Sequence, residues 1–330
     1  MSHTMTRLFS SSEHHIAEAA QLLRSGELVA FPTETVYGLG ARVFDESAVR
    51  RIFVAKGRPS DNPLIVHCAE KADVERVSES LDESRQVLFD ALYEAFCPGA
   101  LTILLPKHPS VPDSVTAGLE TVAVRFPAHS LAQALIRAVG EPLVAPSANR
   151  SGYPSPTTAQ HVMSDLEGRI AAVIDGGACS VGIESTVVNI LAPELTILRP
   201  GSITKEQLDG VALEQGFAPF IYANENASGN VAPLSPGMKY RHYAPNADVL
   251  VASSLEEAQQ LALVHAPAQI LARNEHIDGA SIIELSEQSL YAALRNADAE
   301  KCRTVIILCD EEVQKNVALM NRITKAASKR

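Results

Sequence analysis

Apolar positions in the first two thirds of the chain follow two spacings: short unbroken or alternating runs, and runs that recur every third or fourth residue. The short runs predict strands over 28–31, 64–68, 101–105, 121–126, 143–145, 171–174, 185–190 and 196–199. Between them, helical spacing predicts helices over 13–24, 46–56, 85–96, 131–139 and 159–166. Asp45 stands where an N-cap is needed, and Gly57 where the same helix would end in a left-handed residue. The last two strands face each other across Ala192-Pro193 like a hairpin, so the sheet is expected to be mixed rather than purely parallel. From 217 to 246 the pattern breaks at Pro219, Gly229, Pro233, Pro236, Gly237 and Pro245. Beyond it, apolar runs over 249–252, 269–272, 281–285 and 304–309 alternate with helical segments, as in a small parallel α/β unit. The expected organisation is a large α/β domain over 1–216, a connection over 217–247 and a smaller domain over 248–330.

With 330 residues and 46% hydrophobic content the chain has material for two cores. No apolar stretch reaches the roughly 18 to 20 residues of a membrane span, and residues 1–15 lack the apolar centre of a signal peptide, so cytosolic residence is expected. Cys68, Cys97, Cys179, Cys302 and Cys309 are scattered without the paired spacing of a zinc site and read as reduced core thiols. A net charge of −11 repels nucleic acid, so any RNA contact must rest on a local basic patch.

The chemistry-bearing residues gather at the ends of predicted elements. Lys56 closes a helix, where it can complement the dipole or meet a phosphate. Arg58-Pro59-Ser60-Asp61-Asn62-Pro63 holds polar side chains in a loop that two prolines keep extended. Ser147 and Asn149 emerge from the strand over 143–145, either as a plain turn or at the strand end where open α/β sheets place ligands. Ser155 and its neighbours precede a helix start suited to an anion. Phe31-Pro32-Thr33-Glu34-Thr35-Val36-Tyr37-Gly38-Leu39-Gly40 lacks the third glycine of a dinucleotide fingerprint, since position 43 is Val43, so its glycines are read as serving close backbone approach. The pleat puts Thr121, Ala123 and Arg125 on one face, with Arg125 aimed away from the core as a surface ion pair or as a fork for a carboxylate. His67 reads as a core histidine, and Ser185 and Arg199 add a hydroxyl and a cation without deciding a role.

Six motifs in order carry a resemblance that spans nearly the whole chain. They are Pro32-Thr33-Glu34-Thr35-Val36-Tyr37-Gly38-Leu39, Lys56-Gly57-Arg58-Pro59, Val124-Arg125-Phe126-Pro127, Ala145-Pro146-Ser147-Ala148-Asn149, Glu184-Ser185-Thr186-Val187 and Leu198-Arg199-Pro200-Gly201. With them the chain resembles the two-domain, Sua5-type threonylcarbamoyl-AMP synthases. The resemblance implies a large YrdC-like twisted mixed sheet with helices, plus a small Rossmann-like parallel α/β domain. It implies joining L-threonine, bicarbonate or carbon dioxide and ATP into threonylcarbamoyl-AMP and pyrophosphate, for modification of adenosine 37 in tRNA. It implies threonine against Thr35, His67, Arg125, Ala145 and Ser185. ATP falls against Arg58, Asn62, Thr121, Ser147, Ser155 and Arg199, with Ser235 and His242 added from an interdomain segment that covers the site. The resemblance further implies a catalytic signature of Lys56, Arg58, Ser147 and Asn149, Mg2+ arriving with ATP, and a product passed to a tRNA threonylcarbamoyl transferase machinery, with a weak tRNA contact open. Two rivals stand beside this reading: an RNA-binding module without activity, and a carbamoyl-transfer enzyme like the YrdC-like part of hydrogenase maturation proteins. The second kind carries acylphosphatase and zinc-finger segments not found in this sequence.

Overall fold

The apolar runs assemble into an 11-stranded mixed sheet and a separate 4-stranded parallel one. The structure is a computed structural model, and it describes residues 5–223, 243–273 and 282–328. The large sheet contains β1 (Arg7–Phe9), β2 (Val29–Phe31), β3 (Gly38–Arg42), β4 (Ile65–His67), β5 (Leu101–Pro106), β6 (Thr121–Arg125), β7 (Leu143–Val144), β8 (Ala172–Ile174), β9 (Thr186–Asn189), β10 (Thr196–Arg199) and β11 (Ile221–Tyr222). Their spatial order is β1-β8-β2-β3-β7-β4-β6-β5-β9-β10-β11, with β3 antiparallel to both neighbours and β9–β10 the expected hairpin. The small sheet runs β12-β15-β13-β14 from β12 (Asp248–Ala252), β13 (Ala268–Ala272), β14 (Ile282–Glu284) and β15 (Thr304–Leu308).

Helices cover the large sheet because each has one apolar stripe to bury. Glu13–Arg24 and Ser130–Val139 pack through Ala19, Leu23, Leu135 and Ile136 against Val29, Phe31 and Ala172. On the main core, Glu46–Lys56 inserts Val49 and Ile52, and Glu83–Phe96 inserts Leu88 and Leu92. Three strands were not legible as such. β3 lies in the glycine-rich stretch, β1 precedes the first helix, and β11 falls inside the span taken for a connection, pairing Ile221 with Thr196. The remaining part of that span, 224–242, holds Ser235, His242 and most of the expected lid, and lies outside the described residues.

Candidate active site

The helix Glu46–Lys56 begins at Asp45, whose carboxylate accepts from the Ala48 N–H at 3.0 Å, and ends at Gly57 in the left-handed region at φ 61°. That ending turns Lys56 inward, leaving it 3% exposed. Its ammonium donates to the Ser147 carbonyl, to the Asn149 carbonyl at 2.6 Å and to Asn149 Oδ1 at 3.2 Å. Asn149 in turn accepts from Ser147 Oγ at 2.6 Å and donates to the Arg150 and Tyr153 carbonyls. The Lys56-Gly57-Arg58 and Ser147-Ala148-Asn149 segments are therefore one hydrogen-bonded unit. Burial, then the nearby Arg58, pushes the Lys56 ammonium well below its usual range, and its donors face protein oxygens. Neither Lys56 nor Asn149 is on the cavity wall; Ser147 is.

Arg58 reaches that wall from a loop that folds back on its guanidinium, Nη2 donating to the Asn62 and Pro63 carbonyls at 3.3 and 3.1 Å. Behind it, Asn62 is 1% exposed, and neither of its side-chain amide atoms has a hydrogen-bond partner among the described residues. The Thr121 hydroxyl is in the same condition. A buried polar group left so costs about 1–3 kcal/mol, which a ligand or water would remove.

Arg125, at the end of β6, is 4% exposed, so the surface ion pair is excluded. It donates from Nη2 to Glu34 Oε1 at 2.7 Å and from Nε to the Gly99 carbonyl at 3.4 Å. Burial pushes the Glu34 carboxyl up, but the charge and hydrogen bond of Arg125 outweigh it, and the net shift is downward. His67 lies beside Arg125 through the β4–β6 register, with Nδ1 3.2 Å from the Ile65 carbonyl oxygen. Thr35 is buried, 2.9 Å hydroxyl to hydroxyl from Thr33. Ser185 Oγ lies 2.7 Å from the Thr102 hydroxyl and accepts from Arg199 Nη2 at 3.1 Å. Ser155 donates to Glu184.

One narrow cavity of about 50 Å³ joins these groups, lined among others by Thr33, Arg58, His67, Arg125, Ala145, Ser147, Glu184, Arg199 and Tyr243. Of the residues proposed from sequence, Arg58, His67, Arg125, Ala145, Ser147 and Arg199 lie on the wall, while Thr35, Asn62, Thr121, Ser155 and Ser185 are not part of it. Glu34, Glu184 and Tyr243 had been given no role. In the sequence Glu34 and Glu184 are visible only as motif letters, and Tyr243 only as one residue of the 217–247 connection. Their partners are distant in sequence, which no local pattern reports.

Residues 21–201 match the family model described as "Telomere recombination", and residues 203–328 match "Threonylcarbamoyl-AMP synthase, C-terminal domain". The chain is 43% identical to the threonylcarbamoyl-AMP synthase of Bacillus subtilis, over 99% of this chain and 96% of that one. It is 40% identical to the enzyme of Pyrococcus abyssi, over 96% and 95%. This chain belongs to the Sua5-type threonylcarbamoyl-AMP synthase family. The solved structure of P. abyssi Sua5 complexed with L-threonine superposes with a TM-score of 0.86 at 38% identity, covering 98% of both chains. The mixed α/β Sua5 fold expected from the motifs is thus the fold observed, and no helix among the described residues is long and apolar enough to cross a membrane.

Within this Sua5-type site, burial and then Arg125 push His67 down to about 3, so it is a neutral wall at pH 7. An unfolded histidine takes up a proton near 6.5, so the unfolded chain holds more protons between these values and stability falls as pH drops through that window. From pH 7 to pH 5 the wild type is expected to lose about 2 kcal/mol more than His67→Asn, compared by urea denaturation. Equal losses would contradict the burial of a neutral ring.

Proposed function

We propose that this protein is a nucleotidyltransferase that joins L-threonine, bicarbonate or carbon dioxide and ATP into threonylcarbamoyl-AMP and pyrophosphate. The observation that carries the reading is the single cavity. Arg125 and His67 suit an amino acid, Arg58, Ser147 and Arg199 suit phosphate, and all five line it. The threonine complex of the P. abyssi relative supports the amino-acid side. The buried Asn62 amide and the buried hydroxyl of Thr121, which have no hydrogen-bond partner among the described residues, support the nucleotide side.

The chemistry asks little of side-chain acids and bases. The neutral threonine amine adds to carbon dioxide and loses a proton, giving a carbamate. A carbamate oxygen then bonds to the α-phosphorus as the bond to the pyrophosphate oxygen breaks. What the protein supplies is alignment and positive charge: Arg125 fixes the amino-acid carboxylate, and Arg58 and Arg199 offset charge on the phosphates. Lys56 acts through the turn it holds, keeping Ser147 at the wall. Magnesium carried by ATP fits this donor set. Among the described residues no group of three or more His, Cys, Asp or Glu side chains could hold a metal, and the wall carboxylate Glu184 is held by Arg322. The ion would be held by phosphate oxygens and water, and would neutralise phosphate charge.

The product is a carbamic–phosphoric anhydride, suited to a transferase that places the threonylcarbamoyl group on adenosine 37 of tRNA. Pyrophosphate release from ATP at constant bicarbonate is expected to depend on L-threonine, with L-serine poorer by roughly 10- to 200-fold for its missing methyl and L-alanine poorer still. Salt-sensitive RNA binding without threonine-dependent pyrophosphate release would overturn the reading.

A further inference from the structure

The small domain closes part of the active-site wall from behind. Arg322, in the helix Val317–Ala327, is the largest fully buried side chain among the described residues, at 0% exposed. It donates from Nε to Glu184 Oε2 at 3.0 Å, from Nη2 to the Glu184 carbonyl at 3.3 Å, and from Nη1 to the Pro200 carbonyl at 2.6 Å. The Tyr291 hydroxyl donates to the same Oε2 at 2.9 Å. The other carboxylate oxygen, Oε1, takes the Ser155 hydroxyl. One guanidinium therefore grips the segment ahead of β9 and the segment after β10. These segments carry Ser185 and Arg199, themselves bonded to each other, Arg199 Nε to the Ser185 carbonyl at 3.1 Å.

The packing leaves no slack for this arrangement to drift. A Cβ on Gly201 would stand 2.4 Å from the Thr186 nitrogen, and one on Gly182 would stand 2.4 Å from the Gln288 Cα, so the two domains meet backbone to backbone. A second arginine of the small domain, Arg295, bridges on the other side. It makes a two-point pair with Asp165, at 3.2 and 2.7 Å, and donates to the Pro154 carbonyl next to Ser155. Asp165 also accepts the Arg150 N–H at 3.2 Å.

We propose that Arg322, through Glu184, is a positioning residue for the ATP side of the site, holding the Ser155 hydroxyl and the Arg199 guanidinium in register. The role of the second domain is then to complete the nucleotide site. This rests on the functional reading above. A guanidinium buried to this degree is matched by its carboxylate, and removing one partner strands the other, so Arg322→Met alone can fail to fold. The double variant Glu184→Gln with Arg322→Met removes one charge of each sign, so the net charge of the cluster around Arg199 is unchanged, and it separates positioning from the stranding of a single partner.

The experiment measures ATP binding by calorimetry, threonine-dependent pyrophosphate release, and thermal unfolding. It uses the wild type, the double variant, Arg322→Lys, and Gln288→Ala, which loosens a domain contact to the Cys179 carbonyl that involves neither Arg322 nor Glu184. In the double variant stability is expected to return towards that of the wild type, while KM and Kd for ATP stay raised at least about 10-fold and KM for threonine moves less than about 3-fold. Arg322→Lys, which keeps the charge but cannot span both acceptors, is expected to recover part of the ATP affinity, and Gln288→Ala to leave it unchanged. Wild-type ATP parameters in the double variant, or an equal rise in Gln288→Ala, would overturn the inference while leaving the enzyme's function standing. A wild type that neither binds ATP nor releases pyrophosphate would overturn both.

Discussion

Replacing Arg58 with alanine is expected to lower kcat for pyrophosphate release by roughly 100- to 1,000-fold, with threonine affinity changed by less than about 3-fold. The guanidinium sits at the cavity wall already fixed by the Asn62 and Pro63 carbonyls, so charge developing on the phosphates meets a donor that need not reorganise. Uniform loss of substrate binding would raise KM at constant kcat instead. Steady-state kinetics with threonine and ATP varied in turn, together with calorimetric threonine binding, separates the two. A variant that turns over at the wild-type rate would remove Arg58 from the phosphate side altogether.

Arg125→Lys is expected to raise the threonine KM by roughly 10- to 150-fold while leaving the ATP KM within about 3-fold. Lysine keeps a positive charge for Glu34, which is 11% exposed and would otherwise be a buried lone carboxylate. It cannot reproduce a planar fork held at once by Glu34 and Gly99 and turned to the cavity. A larger effect on ATP than on threonine would mean that Arg125 has been assigned to the wrong substrate. Because charge is conserved, a fold defect is not the expected cause, and an unchanged unfolding midpoint checks this.

How much of this was legible in the sequence depended on the range of the interaction. The helix Glu46–Lys56 and its left-handed end were readable because Asp45, Val49, Ile52 and Gly57 sit within a few turns of one another. β3 was not, because Gly38-Leu39-Gly40-Ala41 has low strand propensity and is placed by its neighbours. A Cβ on Gly40 would meet the Phe31 ring at 2.9 Å, and one on Gly38 the Ala145 Cβ at 3.1 Å, which is the close approach its glycines had suggested. β11 escaped because it is only two residues long, both exposed, and follows Pro219 in a stretch punctuated as a connection. Alternation along β6 correctly turned Arg125 out of the hydrophobic layer. It could not say that Glu34, a distant motif letter, would be waiting there. Arg322 and Tyr291 gave no signal, since one arginine and one tyrosine in helical segments do not reveal which face meets another domain.

The lysine that ends one helix and ties down a turn nearly a hundred residues later has an evolutionary corollary. Each short signature turns by its own local bonds, but the lysine finds its acceptors only in the other, so grafting one into a foreign scaffold transfers letters without the joint geometry. Lineages descending from such a chain must keep both or surrender both.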